Sequence, residues 1–87
     1  MDELTRLRDE IDRIDRTLVA ALNERGEIAR KIGLYKKARK LPVFDASREA
    51  ALLEKLRRLN TGGISENALL QIYQAILTQS RKIQEDL

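Results

Sequence analysis

The 87-residue sequence contains neither cysteine nor histidine. Disulfides, thiol nucleophiles and imidazole bases are therefore outside the chemistry of these residues, as are the usual side-chain sets for zinc, copper and haem. Aromatic residues are nearly lacking too, with Tyr35, Phe44 and Tyr73 the only ones present. So few rings argue against a base-stacking surface and against a large β core. Pro42 is the single proline, so little in the chain interrupts a helix. No apolar run approaches the ~18 residues of a membrane span, and the charged start does not read as a signal peptide. A cytosolic address is the resulting expectation. Chemistry is left to carboxylate, ammonium, guanidinium, hydroxyl and amide groups.

What is present is 43% apolar and 36% charged residues, rich in Leu, Ala, Glu, Lys and Arg. That mixture favours long helices over strands or disorder. The length fits one domain, residues 1–87, near the lower limit for a self-sufficient core. Seventeen basic residues against fourteen acidic ones leave a net charge of +3. Such a balance serves ordinary solubility or the attraction of an anionic ligand.

The apolar positions Leu4, Leu7, Ile11, Ile14, Leu18, Leu22, Ile28 and Ile32 fall largely at steps of three and four. This spacing predicts an amphipathic helix over about 2–40, with Asp2 as N-cap and Pro42 forbidding continuation. A second helix is expected over about 45–60, capped by Asp45, carrying Leu52, Leu53, Leu56 and Leu59, and stopped by Asn60-Thr61-Gly62-Gly63. A third, over about 65–86, presents Leu69, Ile72, Ile76 and Ile83. No segment alternates with period two, so the fold class is all-α. At 1.5 Å per residue the first helix spans ~57 Å and the others only ~25–33 Å. Two such short helices cannot cover the long apolar stripe. Antiparallel pairing of two copies of the first helix, with the shorter helices of both chains packed around it, is the simplest remedy. An intertwined homodimer is therefore expected.

The informative positions interrupt the apolar faces. Arg8 lies at the edge of the stripe formed by Leu4 and Ile11, while Arg25 and Lys36 break the row of Leu18, Leu22, Ile28 and Ile32. On the third helix Ser80 and Gln84 share a row with Tyr73 and Ile76, and Glu49 opens the apolar face of the second. Each alone has an ordinary explanation. Arg8 could snorkel along a seam, and Arg25 could form a salt bridge. Lys36, in the run Lys36–Lys40, could complement a helix dipole. Ser80 and Gln84 could bond each other or the backbone, and Glu49 could pair with Arg48 or Lys55. Together, two arginines and a lysine turned inward with one glutamate leave positive charge uncompensated, which costs several kcal/mol per buried ion. A compact dicarboxylate is the natural counter-ion, because guanidinium forks grip carboxylates bidentately.

The ordered series Leu7-Arg8-Asp9-Glu10-Ile11-Asp12, Ile14-Asp15, Leu22-Asn23-Glu24-Arg25, Ile28-Ala29, Ile32-Gly33-Leu34-Tyr35-Lys36, Pro42-Val43-Phe44-Asp45-Ala46-Ser47-Arg48-Glu49, Ser80 and Gln84 resembles the all-helical (AroQ-type) chorismate mutases over nearly the whole chain. The resemblance implies the same three-helix dimer and the rearrangement of chorismate to prephenate, with no cofactor and no metal. It gives Arg8 as the arginine lent to the other subunit's site and Arg25 as the grip on the second substrate carboxylate. It likewise implies Lys36 and Gln84 as donors to the ether oxygen of the breaking bond and Glu49 as the acceptor for the ring hydroxyl. By the same resemblance Asp45 and Arg48 would line the site and Ser80 would contact a carboxylate. Gly26, after Arg25, is no residue that the resemblance demands, and it permits close packing or costs the helix ~1 kcal/mol.

A pericyclic rearrangement needs no proton transfer and no covalent intermediate, which suits a chain without histidine or cysteine. Other readings stay open on sequence alone. An isochorismate–pyruvate lyase of a related family shares the fold and the cationic grip. A helical dimerisation or nucleic-acid-binding module could use Lys36–Lys40, although that run is short and no recognition motif accompanies it. A regulatory or fused domain of a larger shikimate-pathway enzyme is a third.

Overall fold

In a computed structural model describing residues 2–87, the chain forms three α-helices, α1 (Glu3–Ala38), α2 (Ala46–Leu59) and α3 (Glu66–Glu85). Among the described residues there is no strand. The molecule measures 56 × 24 × 15 Å, its long dimension set by α1.

Each helix starts at a side-chain cap. Asp2 is extended, and its carboxylate accepts from the Thr5 amide at 2.8 Å. That bond holds the Asp2 carboxyl below the ordinary carboxylate value. Asp45 accepts from the Arg48 amide at 3.0 Å, and Ser65 Oγ accepts from the Ala68 amide at 3.1 Å. These bonds satisfy amides that an uncapped helix would leave orphaned.

The helix ends depart from the sequence expectation in two ways. First, α1 stops at Ala38, two residues short of Lys40. Lys40 adopts a left-handed φ of 57°, its amide donates to Lys37 O at 3.2 Å, and the Leu41 amide donates to Lys36 O at 2.9 Å. This is a Schellman closure with lysine where glycine is usual. Second, α2 ends in front of Gly62 and Gly63, but neither has a positive φ. The stop lies in the extended conformation of Asn60, whose side-chain amide bridges to Ile64 O at 2.8 Å.

Packing is confined to one end. The buried residues are Ala29 and Gly33 on α1, Leu56 on α2 and Leu77 on α3. Gly33 lets the backbone of α3 pack directly against α1, because a Cβ there would stand 3.1 Å from Gln84 Cα. From Asp2 to Glu24, by contrast, every residue is exposed. Leu4, Leu7, Ile11, Ile14, Leu18 and Leu22 keep 44–55% of their surface accessible. Half of a 36-residue helix thus carries an apolar stripe that its own chain does not cover.

Candidate functional site

The packed end holds a cavity of about 290 Å³ that is open on one side. Arg25, Ile28, Ala29, Ile32 and Lys36 line it from α1, at the spacing of one helical face. Val43 and Asp45 come from the α1–α2 loop, and Arg48, Glu49 and Leu52 from the first two turns of α2. Leu77, Ser80, Arg81 and Gln84 come from the last turns of α3. The Schellman closure after α1 and the Asp45 cap fix how the loop carries the chain from Lys36 to Glu49.

The polar contacts cross between elements. Arg25 donates through Nη1 to Ser80 Oγ, which donates in turn to Ile76 O at 3.0 Å. Lys36 Nζ donates to Val43 O at 2.8 Å, tying the ammonium to the loop. Arg81 Nη1 donates to both oxygens of Glu49, at 2.8 and 2.6 Å. Gln84 Oε1 is buried without a hydrogen-bond partner. A half-turn of its amide would present the NH2 group instead, so the position offers either a donor or an acceptor to a bound molecule.

Arg25, Lys36, Asp45, Arg48, Glu49, Ser80 and Gln84, all singled out in the sequence, therefore meet around one cavity. Arg8 does not join them. It is exposed on α1, seventeen residues before Arg25, which is roughly 25 Å along the helix axis. Two of the ordinary pairings considered for isolated residues are replaced by others. Arg25 meets a hydroxyl rather than a carboxylate, and Glu49 pairs with Arg81 rather than with Arg48 or Lys55.

Arg81 does not stand out in the sequence. A basic residue in the last turns of a helix reads as a complement to the dipole. The available signal is its register, four residues after Leu77 and three before Gln84, on the same inward face. With Arg81 included, four cations face two carboxylates across the cavity. Two positive charges are left over, matching the two negative charges of a dicarboxylate. Among the described residues no group of three or more carboxylates is placed to hold a metal ion.

The helical scaffold thus holds guanidinium, ammonium and amide groups around one small cavity with surplus positive charge and no imidazole or thiol. The sequence profile of chorismate mutase type II matches residues 7–85, and the chain belongs to that family. It is 38% identical over 91 residues to the bifunctional chorismate mutase/prephenate dehydratase of Aquifex aeolicus, a match that covers 100% of this chain and 25% of that protein. The chain thus spans about a quarter of the length of that relative. Among solved structures, chorismate mutase (form II) of Thermus thermophilus superposes with a TM-score of 0.94 at 28% identity, covering 97% of this chain and 96% of that one. The Helicobacter pylori chorismate mutase in complex with prephenate superposes with a TM-score of 0.88 at 35% identity, covering 95% and 90%.

Proposed function

We propose that the protein rearranges chorismate to prephenate in the cytosol, as an intertwined homodimer in which each site takes Arg8 from the other subunit. The observation that carries this reading is the surplus of two cations around a cavity lined by Arg25, Lys36, Arg48 and Arg81, in a chain of the chorismate mutase family. Chorismate carries two carboxylates. Arg25, already oriented by Ser80, grips one. Arg8 of the second copy, together with Lys36, grips the other. The exposed stripe of Leu4, Leu7, Ile11, Ile14, Leu18 and Leu22 supports pairing with a second α1, which would carry Arg8 to the far cavity.

The reaction breaks a C–O bond while forming a C–C bond, and no proton moves. Carboxylate grips act on substrate and transition state alike and give binding and a folded-over conformer. Acceleration must come from groups that strengthen their hold as charge grows on the ether oxygen. Lys36 Nζ, held at the cavity by Val43 O, and the buried amide of Gln84 are the two donors suited to that oxygen. Each is expected to contribute about a hundredfold or more to turnover, as oxyanion donors do. Glu49 accepts the ring hydroxyl, while Asp45 and Arg48 complete the wall.

The test is to incubate the 87-residue chain separately with chorismate and isochorismate and follow both products. Loss of chorismate absorbance with formation of prephenate is expected. Pyruvate release from isochorismate without prephenate from chorismate would overturn the assignment.

A further inference from the structure

The mutase reading leaves Arg81 without a task. It grips no carboxylate in that scheme, yet it is the most thoroughly fixed cation in the cavity. Nη1 spans both oxygens of Glu49 at 2.8 and 2.6 Å, and Nη2 lies 3.5 Å from Thr78 Oγ1. The guanidinium carbon stands 5.6 Å from the centre of the Phe44 ring. Three elements thus hold one side chain: the loop, α2 and α3. Both members of the pair are largely withdrawn from water, with side chains 28% and 22% exposed.

We infer that Arg81 is a specificity determinant, pairing with the Glu49 carboxylate so that the two together are net neutral and the site takes a ring hydroxyl and refuses an ammonium at the same position. This rests on the mutase reading, in which Glu49 faces the ring substituent. A guanidinium nitrogen that straddles a carboxylate uses one lone pair on each oxygen and leaves the other free. A neutral hydroxyl needs only that free lone pair. An ammonium at the same place would gain from the carboxylate, but it would also stand beside the Arg81 charge, and at comparable distances the two terms oppose each other. It would have to shed its own hydration as well. Without Arg81, Glu49 would be an unpaired, largely buried carboxylate, which attracts a cation far more strongly than it attracts a neutral donor.

Arg81 acting instead as a further carboxylate grip would affect substrates with hydroxyl and amino ring substituents alike. The experiment therefore compares kcat/KM for chorismate with that for its analogue bearing an amino group in place of the ring hydroxyl, at a pH where the amine is protonated. Wild type, Arg81→Met, Arg81→Lys and the double variant Arg81→Met/Glu49→Gln are measured. The ratio of analogue to chorismate is expected to rise about tenfold or more in Arg81→Met, as the guanidinium charge no longer opposes the attraction between the ammonium and Glu49. It should stay near wild type in Arg81→Lys, which keeps the charge, and fall back in the double variant. Should Arg81→Met lose its helical circular dichroism, Arg81→Gln serves in the same comparison. Equal losses on both substrates, or an unchanged ratio, would overturn the inference while prephenate formation by wild type leaves the mutase reading standing. Absence of prephenate from wild type would end both.

Discussion

Gly26 and Gly33 stand two turns apart in α1, and the structure assigns opposite signs to their replacement by alanine. At Gly33 the new Cβ would lie 2.6 Å from Leu87 Cδ1, 3.0 Å from Gln84 Cγ and 3.1 Å from Gln84 Cα. The leucine methyl can rotate away, but Gln84 Cα is backbone and moves only with α3. Carbon atoms rest ~3.5–4.0 Å apart, so α3 must retreat by about half an ångström. Overpacking of this kind costs ~1–3 kcal/mol, against a gain of about 1 kcal/mol for alanine over glycine within a helix. The net expectation is a loss of ~0–2 kcal/mol, centred on about 1 kcal/mol, which corresponds to a fall in Tm of roughly 4–8 °C for a domain of this size. Turnover should suffer more than stability. A misplacement of ~1 Å can cost about a hundredfold, so half that at Gln84 should cost about tenfold. At Gly26 the new Cβ would meet only Ile83 Cδ1, at an ordinary 3.6 Å. The helix gain is then unopposed, and Tm should rise by roughly 4–8 °C with activity retained. Thermal melts by circular dichroism at matched protein concentration, with kcat on chorismate, check both variants. A Gly33→Ala protein that melts at or above wild type and keeps full turnover would refute the reasoning, as would a destabilised Gly26→Ala.

Gln84→Ala should lower kcat by about a hundredfold or more with a smaller change in KM, measured by the loss of chorismate absorbance. Because an amide needs no proton to donate, the wild-type rate should be nearly flat across mildly acidic to mildly alkaline pH, whereas Gln84→Glu should lose activity as its carboxyl ionises; a steep fall in the wild type above neutrality would count against Gln84 as donor. Arg8→Ala and Arg25→Ala, each inactive alone, should regain about a quarter of the wild-type rate when refolded together, since statistical mixing makes half the dimers hybrid with one whole site each. Lys40→Gly should raise stability by ~0.5–1 kcal/mol in urea titration, because glycine adopts the left-handed φ without the side-chain penalty.

The fold is largely legible in the sequence because its signals are local. Asp2, Asp45 and Ser65 are short acceptors placed just before apolar-periodic segments, and each caps a helix. What the sequence obscures also has a local reason. Helix ends are read from glycine, so a left-handed Lys40 raises no flag and the periodicity carries α1 on to it. Gly62-Gly63 signals a stop that Asn60 in fact performs. In the site, Arg25, Lys36, Ser80 and Gln84 are visible because each interrupts an apolar face at helical spacing.

The pairing of Arg81 with Glu49 is invisible for a different reason. That pair joins residues 32 apart on two helices, and helical periodicity reports which face a residue occupies, not which residue of another helix it will meet. The surplus of cations can be inferred without it, since charge adds up whatever the partners, and counting Arg81 still leaves two positive charges across the cavity. The expected affinity for a dicarboxylate is thus a property of composition on one face, readable before any fold is known. On the proposed role of Arg81, discrimination between two dicarboxylates that differ at one ring substituent depends on which carboxylate of the site is already satisfied. That depends on the crossing of α2 and α3, so it can be read only once the helices are placed.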